Sequence, residues 1–287
     1  MAIGPQREAT PEMRWILVGF GILLSAGCSF LPQVGRIPVL HNPFPQVTRV
    51  AVAPFFNLSE EPTVDGRQFA LAYYNALQHV PGFEVIPVGQ VERAMREARI
   101  GLNSAEEARR LAQLLGADAI VIGAVTDYSP YYPPRCGLRV EWYAAQLELQ
   151  PPLSVDMRPP SFGTVSDPEA GESIFARQET KGSRGSPTSS SGGGNGNPNG
   201  ANAPFPPPIL PLATHTRIYN GHDAEFTSAL SQYLLTRDDA RLGGWQTYLE
   251  RSDDFIRFCC YKHLEEMLVL QGGAAQTKLV WRWSAIR

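Results

Sequence analysis

The sequence predicts an α/β domain: a mixed, largely parallel sheet covered by helices, with a long disordered insertion and helices at its C-terminal end. Three observations carry this expectation. Between residues 47 and 125 the hydrophobic period alternates between that of a strand and that of a helix, in the order β-α-β-α-α-β. The run 119–125 (AIVIGAV) is apolar on both faces, as suits a central strand covered by helices on each side. After a breaker-rich stretch, helical spacing returns in two segments near the C-terminus.

The elements follow in order. Residues 47–53 (VTRVAVA) form a short β-rich run stopped by Pro54. Residues 66–80 place Phe69, Tyr73, Ala76, Leu77 and Val80 on one helical face, and Pro81-Gly82 ends that helix. A second strand, 83–86, precedes Pro87, and 90–99 reads as a short helix with Val91, Ala94, Met95 and Ala98 inward. Ser104-Ala105-Glu106-Glu107 is a capping box for the next helix, which Gly116 closes with a left-handed stop. The strand 119–125 leads into a Tyr/Pro-rich loop, YSPYYPPR (128–135), and 138–149 offers another strand.

Residues 151–211 contain SPTSSSGGGNGNPNGANAPFPPP, with few apolar side chains to offset the entropy of ordering, so they read as a mostly disordered insertion within one domain. A short strand at 213–219 rejoins the fold. Helices are expected at 223–236 and 253–270, and 278–283 (KLVWRW) as a closing strand or a docked tail. The domain is therefore expected to run from 47 to 150 and again from 212 to 287, the helical C-terminal part packing on the first.

The N-terminus has the three parts of an export signal: Arg7 and Arg14, the apolar run 15–24 (WILVGFGILL), and small residues at 25–27. The apolar run falls short of the ~20 residues that cross a bilayer as a helix. Ala26 and Gly27 before Cys28, behind a leucine-rich run, resemble the lipobox of bacterial lipoproteins, although Ser25 stands where leucine is usual. The resemblance implies a signal peptide over 1–27 and a lipid on Cys28; the alternative is a signal cut elsewhere, with Cys28 free or paired. Ser29, in place of the aspartate linked to inner-membrane retention, points by the same resemblance to the outer membrane, facing the periplasm. Residues 28–46 carry four prolines and no regular period, and read as an extended tether.

Composition narrows the function classes. The 287 residues are 43% hydrophobic and 18% charged, with a net charge of −3 and no Lys/Arg-rich block, so nucleic acid is not an expected partner. The signatures G-x-x-x-x-G-K-[ST], G-x-S-x-G and H-E-x-x-H are missing from the sequence. The histidines (His41, His79, His215, His222, His263) lie in separate segments. His222-Asp223 reads either as a base with an orienting carboxylate or as a helix start. Cys259 and His263, four apart, share a helical face and so can meet at a metal, but a zinc site wants about four ligands and only Cys136 offers itself from elsewhere. Cys136 either pairs with Cys259 or Cys260 in an oxidising compartment, or all three are buried thiols. No catalytic residue, metal site or cofactor is expected.

The stretch VAVAPFFNLSEEP, the helix at 66–80, FEVIPVGQVERAM and AQLLGADAIVIGAVTDY together resemble the periplasmic domain of curli secretion-channel lipoproteins (CsgG-like) and the related N-terminal domain of the TolB translocation protein. The likeness covers roughly residues 47–128. It implies a non-catalytic assembly-type domain held at a membrane. Such a chain is expected to bind other envelope proteins, or itself as an oligomer, in an assembly or export complex; the alternative is a ring-forming subunit of a secretion channel. Channel members build their barrel from added hairpins alternating apolar and polar over ~10 residues, and the segment after Leu149 shows none. A hydrolase is the third reading. The insertion and the YSPYYPPR loop are the expected contact surfaces.

Overall fold

A computed structural model describes residues 33–146, 173–175, 209–237, 243–274 and 276–282. The expected signal peptide (1–27), the expected lipidation site Cys28 and most of the expected insertion lie outside the described residues.

The chain opens with strand β1 (Gln33–Val39), then β2 (Arg49–Val52) and β3 (Phe56–Asn57). Helix α1 (Gly66–Gln78), strand β4 (Glu84–Ile86), helices α2 (Val88–Ala98) and α3 (Ala105–Leu115) and strands β5 (Ala119–Ser129) and β6 (Arg135–Ala144) follow. After the insertion come β7 (Ala213–Asn220), α4 (Ala224–Leu235), α5 (Gln246–Glu250), α6 (Ser252–Leu270) and β8 (Gln276–Arg282). The main sheet runs β4-β2-β5-β6-β7, with β3 also on β5. β2 is parallel to β4 and to β5, whereas β5-β6 and β6-β7 are antiparallel. The sheet is mixed, as expected. Pro54 has no amide hydrogen for the ladder, so it splits one track along β5 into β2 and β3.

Strand β5 settles the layering. Its odd positions Ala119, Val121 and Val125 join one core cluster, and its even positions Ile120, Ile122 and Ala124 join the other. The first cluster takes Phe69, Tyr73 and Leu77 from α1, Leu230 and Tyr233 from α4, and Phe255, Phe258, Leu264 and Met267 from α6. The second takes Val91 from α2, and Ala108, Leu111 and Ala112 from α3. At Gly123 an added Cβ would lie 2.3 Å from the Phe55 ring, so the strand is glycine there because the ring covers it.

Local signals act as the sequence implies, with one difference. Ser104 Oγ accepts from the Glu107 amide at 3.2 Å, and Gly116 closes α3 at φ 61°. Glu107, however, reaches one residue further back than a capping box does, accepting the Asn103 amide at 2.8 Å. The loop carboxylate Asp118 ties the start of β2 to that of β5, one oxygen accepting from the amides of Thr48 and Arg49 at 2.9 and 2.8 Å.

Two expectations need correction. The tether expected over 28–46 is not free along its described part: β1 pairs antiparallel with β8 as a two-stranded ribbon. Asn42 then staples the following segment, donating to the Val47 and Gly82 carbonyls at 2.6 and 3.1 Å. The period was hidden because β1 takes its partner from the opposite end of the chain. The insertion is also fastened where it is described: Ile174 and Phe175 are buried in the second core cluster, an apolar pair within a polar stretch, and Ile209 packs against it. Apart from 173–175, residues 151–208 lie outside the described residues.

Gly123→Ala tests the Phe55 contact. Overpacking of this kind costs about 1–3 kcal/mol, read as a lower urea midpoint at unchanged slope. Asp118 gives a second test. Burial raises its carboxyl, but the Arg49 and Thr48 hydrogen bonds and the Arg49 charge outweigh that and hold it below 3.8. Its folded value being depressed, its stabilisation is present above pH 3.8 and fades as pH falls below it. Asp118→Asn is expected to flatten that acid loss in urea titrations from pH 5 to about pH 2.

Candidate functional site

The Tyr/Pro-rich loop is the tip of the β5–β6 hairpin. Tyr128 turns inward, edge-on to Phe69 at a centroid distance of 5.8 Å. Tyr131 and Tyr132 do not: they are 77% and 65% exposed. The tip is held from both sides. Arg135 grips Asp127 across the hairpin at 2.6 and 3.2 Å, and the Gly221 amide donates to the Pro134 carbonyl at 2.8 Å. Two phenol rings therefore project from a braced turn.

A second candidate is a cleft of about 280 Å³ between β1, β7, α4 and α6, reached by Arg36, Arg217, Tyr233, Lys262 and Glu265. Glu266 stands at its edge. Its Oε2 accepts from Tyr219 Oη at 3.0 Å and lies 3.3 Å from His215 Nε2, with Lys262 Nζ 3.8 Å from Oε1. Burial pushes the Glu266 carboxyl up, but His215, Lys262, Tyr219 and Arg217 together hold it below the usual range. It is an anion whose charge is already matched.

His263 lies beneath this group and is fully buried. Its Nε2 is 3.1 Å from the His215 carbonyl oxygen, so that nitrogen carries the hydrogen and donates. Nδ1 is then a bare acceptor, buried without a partner among the described residues. Burial, with the nearby His215 adding to it, lowers the imidazole to about 3. A histidine so reluctant to take a proton is a poor general base at neutral pH.

The remaining sequence candidates separate. Asp223 is the N-cap of α4, accepting the Glu225 amide at 3.0 Å, and His222 is exposed beside it. Cys259 and His263 share a face of α6 as expected. Yet His263 Nε2 is taken by a carbonyl, and no group of three or more metal-type side chains occurs among the described residues. Cys136, Cys259 and Cys260 are buried free thiols. Burial raises Cys259, as does its hydrogen-bonded contact with Cys136, while Cys260 Sγ donates to the Phe69 carbonyl.

One cluster escaped the sequence. Arg139 and Glu141 alternate with apolar residues in β6, which reads as a solvent-facing row, yet both are buried. Glu141 accepts from Arg139 Nε at 2.9 Å, Tyr143 Oη at 2.7 Å and the Ile174 amide at 3.0 Å. It anchors the insertion's buried turn. The only sequence signal was Ser-Ile-Phe-Ala (173–176), an apolar island in a polar segment.

No protein-family model matches the chain, and no curated protein does. Among solved structures it is similar to lipoprotein GNA1162 from Neisseria meningitidis (19% identity, 34% of this chain and 70% of that one, TM-score 0.28). It is likewise similar to the LpoB C-terminal domain from Salmonella enterica (15%, 36% and 76%, TM-score 0.30). A third is the PelC dodecamer from Paraburkholderia phytofirmans (19%, 40% and 71%, TM-score 0.23). Likenesses this partial leave the function to the residues themselves.

The state of His263 is testable. The unfolded chain binds its proton below pH 6.5 while the folded chain resists until about 3, so stability falls as pH drops through that window. The slope it contributes is at most about 1.4 kcal/mol per pH unit. Urea midpoints between pH 7 and 4 are expected to fall less in His263→Gln, which keeps a donor for the His215 carbonyl.

Proposed function

We propose that this chain is a lipid-anchored lipoprotein of the outer membrane, facing the periplasm, that works by binding other envelope proteins and not by catalysis. The observation that carries the reading is the exposed Tyr131–Tyr132 pair on its braced hairpin. Aromatic side chains anchor protein interfaces, and a rigid turn loses little entropy when it is buried. The N-terminal export pattern and Cys28 support the location. The ionisable groups in and beside the core support the non-catalytic part: buried Glu141 and half-buried Glu266 are consumed in hydrogen bonds, and His263 is held neutral.

The likeness to CsgG-like and TolB N-terminal domains supports an assembly role, and its pore is not carried over. Strands β5 and β6 have the length of barrel strands, 11 and 10 residues. They are nevertheless buried on both faces in their central parts, inside a helix-covered sheet, where a barrel strand would show one face to lipid.

Two experiments follow. Mass analysis of the mature N-terminus is expected to give a diacylglyceryl-modified Cys28 in wild type, and Cys28→Ala is expected to lose both the lipid and membrane fractionation. A wild-type protein that begins elsewhere without lipid would remove the anchor. Second, a photo-crosslinking residue at Tyr131 is expected to trap envelope proteins in intact cells, whereas one at Leu114, exposed on α3, traps none. Tyr131→Ser/Tyr132→Ser is expected to change stability by less than about 0.5 kcal/mol. Equal crosslinking at both sites would sink the binding role of the tip.

A further inference from the structure

We propose that the β1–β8 ribbon lies on the anchoring bilayer and places Val34, Leu279 and Trp281 among the lipid headgroups. The inference rests on the lipid at Cys28 and adds to it the orientation of the domain.

The first ground is the pattern of exposure. In an antiparallel pair, directly opposed residues lie on the same face, as do alternate residues along each strand. The register sets Val34 opposite Trp281 and Arg36 opposite Leu279, so the four share one face. On that face Val34 is 63%, Leu279 53% and Trp281 65% exposed. The other face turns to the helices: Gly35 is buried, and an added Cβ there would meet Leu235 at 2.9 Å. Exposed apolar residues are unremarkable singly. Here three are adjacent, on a ribbon only two strands wide.

Proximity is the second ground. Only Ser29, Phe30, Leu31 and Pro32 separate Cys28 from β1. A fully extended chain covers about 3.6 Å per residue, so Gln33 lies within about 18 Å of the Cys28 backbone. The Val34–Trp281 pair is the next rung of the ribbon, and the apolar face fades away from the anchor toward Thr277 opposite Pro38. Two more apolar residues, Phe30 and Leu31, lie in the connecting segment itself.

The chemistry is that of an interface. Tryptophan concentrates at the headgroup level, where its ring is buried while its N–H stays wet. A three-residue contact is weak in free solution. Tethering makes it intramolecular, with an effective concentration in the millimolar range, so weak contacts are populated.

The test uses the mature full-length lipoprotein in vesicles of phosphatidylethanolamine and phosphatidylglycerol, with plain or brominated acyl chains. Bromine quenches only tryptophan at the bilayer, so emission is expected to drop on bromination, and Trp281→Phe is expected to lose at least half of that drop. Leu279→Ser/Trp281→Ser is expected to reduce it similarly while the protein stays vesicle-bound through its lipid. Lipidated protein with no quenching would overturn the ribbon contact and leave the anchor standing. Protein shown by mass to lack lipid overturns the anchor, and the inference with it. A doubled mass in detergent that the double variant returns to a single chain would assign the face to a second copy, and so overturn the proposal.

Discussion

Ile120, Ile122 and Ala124 leave one face of β5 while Ala119, Val121 and Val125 leave the other, and all six are withdrawn from water. A strand apolar on both sides must be roofed twice. Helices α2 and α3 provide one roof from adjacent sequence. The other needs more than α1 alone, so α4 and α6 must return across the insertion to complete it. Most of the architecture follows from this demand, including the docking of a C-terminal segment that has little periodicity in common with the first half.

The same demand explains the buried polar groups. Helix α6 passes through the core with apolar residues on most of its surface, so His263 enters with them. It is kept neutral because a charged imidazole there would be costly. On the opposite face Glu141 is buried, paired with Arg139 and bonded to a tyrosine and an amide. Removing one partner of such a group typically costs ~3–5 kcal/mol. These groups hold structure together, while the hairpin tip, proposed to bind proteins, and the ribbon, proposed to meet the bilayer, lie on the surface.

Much of the first half was legible because its signals are local. Ser104 and Gly116 bracket α3 by cap chemistry, and Pro54 marks the break in the first strand track. The β5–β6 hairpin and the strand at 213–220 were visible as β-rich runs, though β6 begins and ends earlier than its alternation implied. The short α5 and the two-residue β3 went unread, being too brief to show a period. Arg139 and Glu141 looked like a wetted row because alternation reports which residues share a face and is silent about what covers that face. The ribbon resembles a tether in the sequence for a related reason: a strand that contains Pro38 gives no sign of a partner at the far end of the chain.

The sequence by itself determined the α/β class and the order of its central elements. These depend on period, caps and residue size within short windows, where the physics is local. Tertiary structure alone decided that residues 33–46 belong to the domain, that Ile174 and Phe175 close a core face, and that Glu266 and His263 answer to β7. It also decided that Val34, Leu279 and Trp281 share one exposed surface. Each of those facts joins residues far apart in the chain, and burial and register, which create them, exist only once the chain has folded.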